Sequence, residues 1–361
     1  MIEALGAWLG GSPLGAVAAL ERILARAPQD ALALKLGHAV RFLLGDAAGM
    51  RASIERVLPH YDPAHPARGY VLGCHAFALE ETGDYARAQT AGRMGLNLCP
   101  DDAWGLHAVA HVFEMTGDSR GGLDWLEGRT AAWAHCNNFR YHVWWHKALM
   151  HLDQGESERV LALYDAEIRA DRTDDYRDIA NATSLLLRLD LDGVPTGDRW
   201  EELAEIAATR TEDGCLIFAD LHYLMALSAV GRDAEIAGLM ARMRRDATGL
   251  RNELAAVAAH PGLAAAAGLE AFGTGDFDAA FRNLSAARAA LPGIGGSHAQ
   301  RDVFARLTID AAIRAGYLDR ARRLLCDRSG QRAGSRDRFA ATRLEMIDRA
   351  LAAAPALGVA G

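Results

Sequence analysis

No region of the chain sustains a period-two alternation of apolar and polar residues, so strands have little support. What recurs is punctuation of apolar-rich stretches. A glycine, usually followed at once or within two residues by an acidic or aromatic residue, stands at Gly45, Gly83, Gly117, Gly155, Gly193, Gly231, Gly275 and Gly316, in steps of 38, 34, 38, 38, 38, 44 and 41 residues. A period of this size marks a helical-hairpin repeat. Each turn glycine can end a first helix in the left-handed conformation, and Asp84, Asp118 and Asp276 stand where they can cap the second. The spacing predicts first helices near 31–44, 67–82, 102–116, 139–154, 176–190, 216–230, 261–273 and 298–315. Second helices fall near 47–58, 84–97, 119–133, 156–169, 199–210, 232–246, 277–290 and 318–327, with a capping helix near 335–354. The segments 191–198 and 247–262 are longer connections, and the expectation is one domain over 1–351 with a frayed tail at 352–361.

The best copy reads Gly83-Asp84-Tyr85-Ala86-Arg87-Ala88 and then Leu96-Asn97-Leu98-Cys99-Pro100. It resembles the tetratricopeptide repeat, with a small residue where the helices cross and a proline near the end. That resemblance implies an all-α, right-handed superhelical solenoid whose first helices line a concave groove. With each turn glycine at repeat position 15, the groove positions are Trp104, His107, His111 and Glu114 in the third repeat and His142 and Trp145 in the fourth. Tyr70, Phe77 and Glu80 continue the stripe on one side, and Thr183, Asp190, Phe218 and Met225 on the other. His146 and His222 fall one position beside it. His38 and His75 fall where helices pack, which reads as structural histidine.

Two pairs, His107/His111 and His142/His146, are four residues apart, so each shares a helix face. Three chemistries fit. Binding without reaction uses aromatics to stack and imidazoles to hydrogen-bond. Acid–base hydrolysis uses His107, His111 or His142, since histidine titrates near neutrality. A divalent metal would take His107, His111, Glu114 and His142, although the spacing lacks the internal glutamate of H-E-x-x-H; no cofactor is expected outright. Cys74 beside His75 has no nucleophile-elbow context and reads as core. Gly296-Ser297-His298-Ala299-Gln300 fits a capping box, and the opening Gly295-Gly296 permits close backbone approach.

Composition narrows the partners. The 361 residues are 50% hydrophobic and 24% charged, ample for a folded core. A net charge of -8 gives no basic footprint for nucleic acid. No cationic leader precedes a long apolar run, and no stretch reads as a membrane span of ~18 apolar residues. Five scattered cysteines without C-x-x-C spacing suit a reducing compartment. The expectations are therefore a cytoplasmic location, no nucleic acid and no membrane; a homo-oligomer is compatible with the sequence.

The chain also resembles the tetratricopeptide-repeat protein 38 family. The carrying stretches are LHAVAHVFEMTGD at 106–118, YHVWWHKALMHLDQGE at 141–156, LYDAEI at 163–168, HYLMAL at 222–227 and GSHAQRDVF at 296–304. The resemblance implies an all-helical solenoid marked at His107, His111, His142, His146, His222 and His298, and supplies no reaction. The favoured expectation is a solenoid binding a small polar or aromatic molecule, or a peptide end, through Trp104, His107, His111, Glu114, His142, Trp145, His146, His222 and His298. A hydrolase and a protein-interaction scaffold are the alternatives.

Overall fold

The computed structural model describes residues 1–249 and 253–353, and among these the regular elements are all helical. The expected tail from residue 354 onward, and residues 250–252 of the expected 247–262 connection, lie outside the described residues. The chain runs as successive hairpins: α1 (Ile2–Leu9) and α2 (Pro13–Arg26), α3 (Ala31–Leu43) and α4 (Ala47–Val57), α5 (Arg68–Glu81) and α6 (Tyr85–Leu98), α7 (Ala103–Thr116) and α8 (Ser119–Leu126). There follow α9 (Phe139–Asp153) and α10 (Ser157–Leu163), α11 (Tyr176–Leu191) and α12 (Arg199–Ala208), α13 (Ile217–Ala229) and α14 (Asp233–Gly249). A short α15 (Glu253–Val257) leads into α16 (Leu263–Gly273) with α17 (Phe277–Ala287), then α18 (His298–Arg314) with α19 (Leu318–Gln331), and α20 (Arg338–Ala353) closes the array. This is an all-α helical-repeat solenoid.

The punctuation behaves as its chemistry requires. All eight turn glycines take positive φ, from 68° at Gly45 to 81° at Gly316, a region open to glycine at no steric cost. Asp118 and Asp276 accept the backbone N–H of Gly121 and Ala279 as caps. Asp84 does not cap α6; Arg51 and Arg87 draw its carboxylate outward instead. The first hairpin was not foreseen, because its turn is Gly10-Gly11-Ser12 without the acidic or aromatic partner of the later turns. Ser12 caps α2 by accepting from Gly15. The expected second helix over 119–133 stops at Leu126, where Gly128 turns the chain at φ 71°.

First helices pack side by side as α5 on α7, α7 on α9, α9 on α11, and α11 on α13. Their inner face is not open. Helix α18 lies across it, touching both α7 and α11. Polar links fix the crossing. The His298 backbone N–H donates to Glu81 at 2.9 Å, Arg188 donates to the Ala299 carbonyl at 2.7 Å, and Gln300 donates to the Asn181 side chain at 3.1 Å. Farther along, Arg332 donates to the Glu114 carbonyl at 2.6 Å and Arg343 bridges Asp310 and Asp192 at 2.9 and 2.6 Å. The N-terminal hairpin is tied to a later repeat, the Leu14 N–H donating to Glu253 at 3.0 Å. The concave face is therefore the protein's interior.

The stretch Glu253–Gly273 corrects the expectation about apolar runs. Its 21 residues contain an 18-residue window of mean hydropathy 1.3, which satisfies length and composition for a membrane span. His260, with φ -153° and ψ 123°, and Pro261 interrupt its helical path, and Ala265, Ala266 and Leu269 are buried in the array. Alanine, rather than long aliphatic residues, supplies most of its apolar character.

A buried ion network holds the C-terminal helices together. Arg328 pairs with Asp302 and Asp337, and Arg306 joins both carboxylates. Despite burial, the surrounding guanidinium groups hold Asp302 and Asp337 below the usual carboxylate range. Removing one member of such a network strands its partners, at a cost of about 3–5 kcal/mol. Asp337→Asn is expected to lower unfolding free energy at pH 7 by that order, measured by urea denaturation. A depressed carboxylate contributes stability above its unfolded value near 4, which is lost as the pH falls toward the folded value. The gap between wild type and variant is therefore expected to shrink as the pH is taken below about 4.

Candidate functional site

The two i, i+4 histidine pairs sit on adjacent first helices, and packing α7 against α9 turns them toward each other. His107 Nε2 lies 2.9 Å from His111 Nε2, 2.9 Å from His142 Nε2 and 3.2 Å from His146 Nε2. His146 and His142 Nε2 are 3.2 Å apart. All four rings converge through the same nitrogen. His107, His111 and His146 are at most 1% exposed, and His142 is half-buried at the edge of a chamber. Aromatic side chains hold the rings in place: Phe77 stacks on His107 and Trp145 on His142, with centroids 5.7 and 5.4 Å apart.

Carboxylates stand behind the tetrad. His146 Nδ1–H donates to Glu114 Oε2 at 2.8 Å, which leaves a lone pair on Nε2. His111 Nδ1 is 3.4 Å from Glu80 Oε2, both side chains being wholly buried. Asn181 lines the same chamber as His142. Burial, reinforced by the neighbouring imidazoles, holds His107, His142 and His146 well below the ordinary histidine value. Burial also pushes His111 down, but Glu80 outweighs it and keeps this ring above that value. Among the described residues, two groups gather three or more metal-capable side chains: the tetrad, and Glu80, Glu81 and His111.

The tetrad forms one wall of a chamber of about 310 Å³. Every first helix from α3 to α13 contributes to it. Phe42, Phe77, Trp104, Phe139, Tyr176 and Phe218 give it an apolar, aromatic body, with His107 and His142 on one side. Ile294, Gly296, Ser297 and Gln300 roof it, and Lys35 and Ala39 on α3 stand exposed at its rim. The roof requires its glycines. A Cβ on Gly295 would lie 2.6 Å from the Leu43 carbonyl oxygen, and one on Gly296 2.6 Å from the Phe218 ring. Ser297 and Gln300 form the expected capping box, and Gln300 also reaches Asn181.

The sequence-derived residues divide clearly. Trp104, His107 and His142 line the chamber, while His111 and His146 lie behind it in the tetrad. Glu114 meets the back of His146 rather than the point where the rings converge. Trp145 is wholly buried and supports His142. His222 donates Nδ1–H to the Phe218 carbonyl at 2.7 Å and packs on Phe218 and Phe304, outside the chamber lining. His298 donates Nε2–H to the Glu81 carbonyl at 2.8 Å, locking α18 to α5. Asp190 holds Thr196 and Trp200 instead of facing the interior. Cys74 is buried, and burial pushes its thiol up, which removes it as a nucleophile.

Several polar chamber residues were not foreseen, among them Lys35, His38, Asn138, Arg177, Asp178, Asn181 and Gln300. His38 departs most from its expected role. It is buried against Phe77 and Trp104, yet neither ring nitrogen has a hydrogen-bond partner among the described residues. Repeat arithmetic placed it between helices, because the register cannot register that closure of the array makes α3 a wall.

No family model matches the chain. Among solved structures, a tetratricopeptide repeat protein from Parabacteroides merdae ATCC 43184 is similar at 12% identity and a TM-score of 0.36, covering 87% of this chain and 97% of that one. The structure of Naa15/Naa10 bound to HypK-THB is similar at 11% identity and a TM-score of 0.28, covering 97% of this chain and 66% of that one.

An unpaired buried polar ring costs stability unless something binds it. His38→Phe is expected to raise unfolding free energy by about 1 kcal/mol, read as a higher Tm in the isolated protein. A drop in Tm instead would assign His38 a structural role.

Proposed function

We propose that the protein binds a small molecule with a flat, apolar body and a polar end in the chamber beneath α18. The observation that carries this reading is the coincidence of an aromatic body with convergent polar groups. His38, Asn181, Ser297 and Gln300 supply donors and acceptors from three different elements, and Lys35 adds a cation at the rim. Binding pockets commonly combine an apolar lining with a few placed polar groups in about 300–1,000 Å³. An extended peptide needs an open groove, and α18 occupies the inner face, which disfavours a peptide-binding scaffold.

A second reading, a hydrolase, is favoured by one specific feature. His107 and His142 present imidazoles to the chamber, where a bound ester or amide would meet them. Membership in the tetratricopeptide-repeat protein 38 family is part of the same proposal. It rests on the stretches at 106–118, 141–156 and 296–304, which build the tetrad and the roof.

Ala39→Trp fills the rim from an exposed helical position and leaves the core untouched. In a ligand-observed NMR screen of aromatic amides, carboxylates and phenols, hits are expected to bind wild type and to lose affinity about tenfold or more in Ala39→Trp at unchanged Tm, a difference of about 1.4 kcal/mol. Equal binding to both proteins would place the site elsewhere. For the hydrolase reading, a metabolite extract incubated with wild type is expected to lose a component, seen by mass spectrometry, that survives with His142→Gln.

A further inference from the structure

We infer that His107, His111, His142 and His146 together bind one divalent transition-metal ion, zinc by preference, through their four Nε2 atoms. Hydrogen bonding alone does not account for the arrangement. A neutral imidazole carries one N–H and one lone pair. The Nε2 atoms of His107, His142 and His146 are mutually 2.9 to 3.2 Å apart. A single N–H in that triangle points at one neighbour and leaves the third lone pair facing another; two N–H groups collide. His107 Nε2 meets His111 as well, so one atom faces three others.

One cation at the centre satisfies all four lone pairs at once. Ligand nitrogens about 2.0–2.1 Å from a tetrahedral zinc are separated by about 3.3 Å. The four short separations, 2.9 to 3.2 Å, lie just inside that value. The donor nitrogens of all four rings fall within 4.8 Å of one another. Nitrogen donors in a compact three-dimensional cluster suit zinc better than magnesium or calcium, which prefer oxygen.

The surroundings supply an independent reason. A metal-bound histidine characteristically directs its other ring nitrogen to a carboxylate or carbonyl. His146 does so with Glu114 and His111 faces Glu80. Glu80 is wholly buried, and neither of its oxygens has a hydrogen-bond partner among the described residues. A buried carboxylate needs compensating charge. The two carboxylates balance one dication bound by four neutral rings.

The experiment uses the full chain without a histidine tag and reads metal alone, so its outcome is separate from whether the chamber takes a ligand. Wild type is expected to hold about one zinc per chain, or to take it up with a rise in Tm as a ligand of the native state does. Cobalt(II) substitution is expected to give the intense visible bands of tetrahedral coordination. His142→Gln, whose ring is the least buried of the four, is expected to lose the metal while keeping the wild-type circular dichroism. Glu114→Gln, which keeps all four ligands, is expected to weaken affinity about 10–100-fold. His75→Gln, a buried histidine outside the cluster, should retain the metal. The inference is overturned if wild type takes up neither zinc nor cobalt, or if both His107→Gln and His142→Gln bind them as wild type does.

Discussion

The repeat array folds its own C-terminal helices across its concave face, and that closure governs what every polar group inside must do. An open solenoid leaves groove residues in water, which satisfies them at no structural cost. Once α18 covers the face, each donor and acceptor there needs a partner in the protein or in a ligand. The peripheral groups have protein partners. Arg343 spans Asp310 and Asp192, Arg328 spans Asp302 and Asp337, and Glu81 takes both His298 and Arg301. At the centre, His38 and the Nδ1 of His107 lack hydrogen-bond partners among the described residues, and Glu80 faces His111 at 3.4 Å without hydrogen-bond geometry. A fold able to neutralise its outer charges so thoroughly leaves these groups without hydrogen bonds where the chamber and the tetrad lie.

Much of the fold was legible because the turns carry it. Glycine is required wherever a first helix ends in a left-handed residue, and that requirement printed a period on the sequence that survives steps from 34 to 44 residues. The unforeseen first hairpin lacks that signature, since Gly11 and Ser12 turn the chain by a different local route. Closure was not legible. It depends on contacts such as Arg188 with Ala299 and Arg332 with Glu114, more than a hundred residues apart, which no local pattern encodes.

The site was legible in proportion to how far it depends on one helix. Spacing of four placed His107 with His111 and His142 with His146, and the repeat register put α7 beside α9. Which ring nitrogen each histidine turns inward is a matter of packing, set by Phe77, Trp145 and Glu114. For that reason His146, one position off the groove stripe, ends beside the other three, while Glu114, on the stripe, ends behind them. His222 and His298 share the residue type but answer to other constraints, a helix carbonyl and a helix crossing. Lys35, His38, Asn181 and Gln300 come from three separate parts of the chain and meet only through closure.

Tetrad and chamber share His107 and His142, so an ion held by the four rings would sit at the wall against which a bound molecule rests. The most direct measurement is anomalous diffraction at the zinc absorption edge from crystals of the untagged protein grown with zinc. A single peak about 2.0–2.1 Å from all four Nε2 atoms is the expected result. Four rings turned away from a common centre, with zinc density absent or confined to surface histidines, would contradict it.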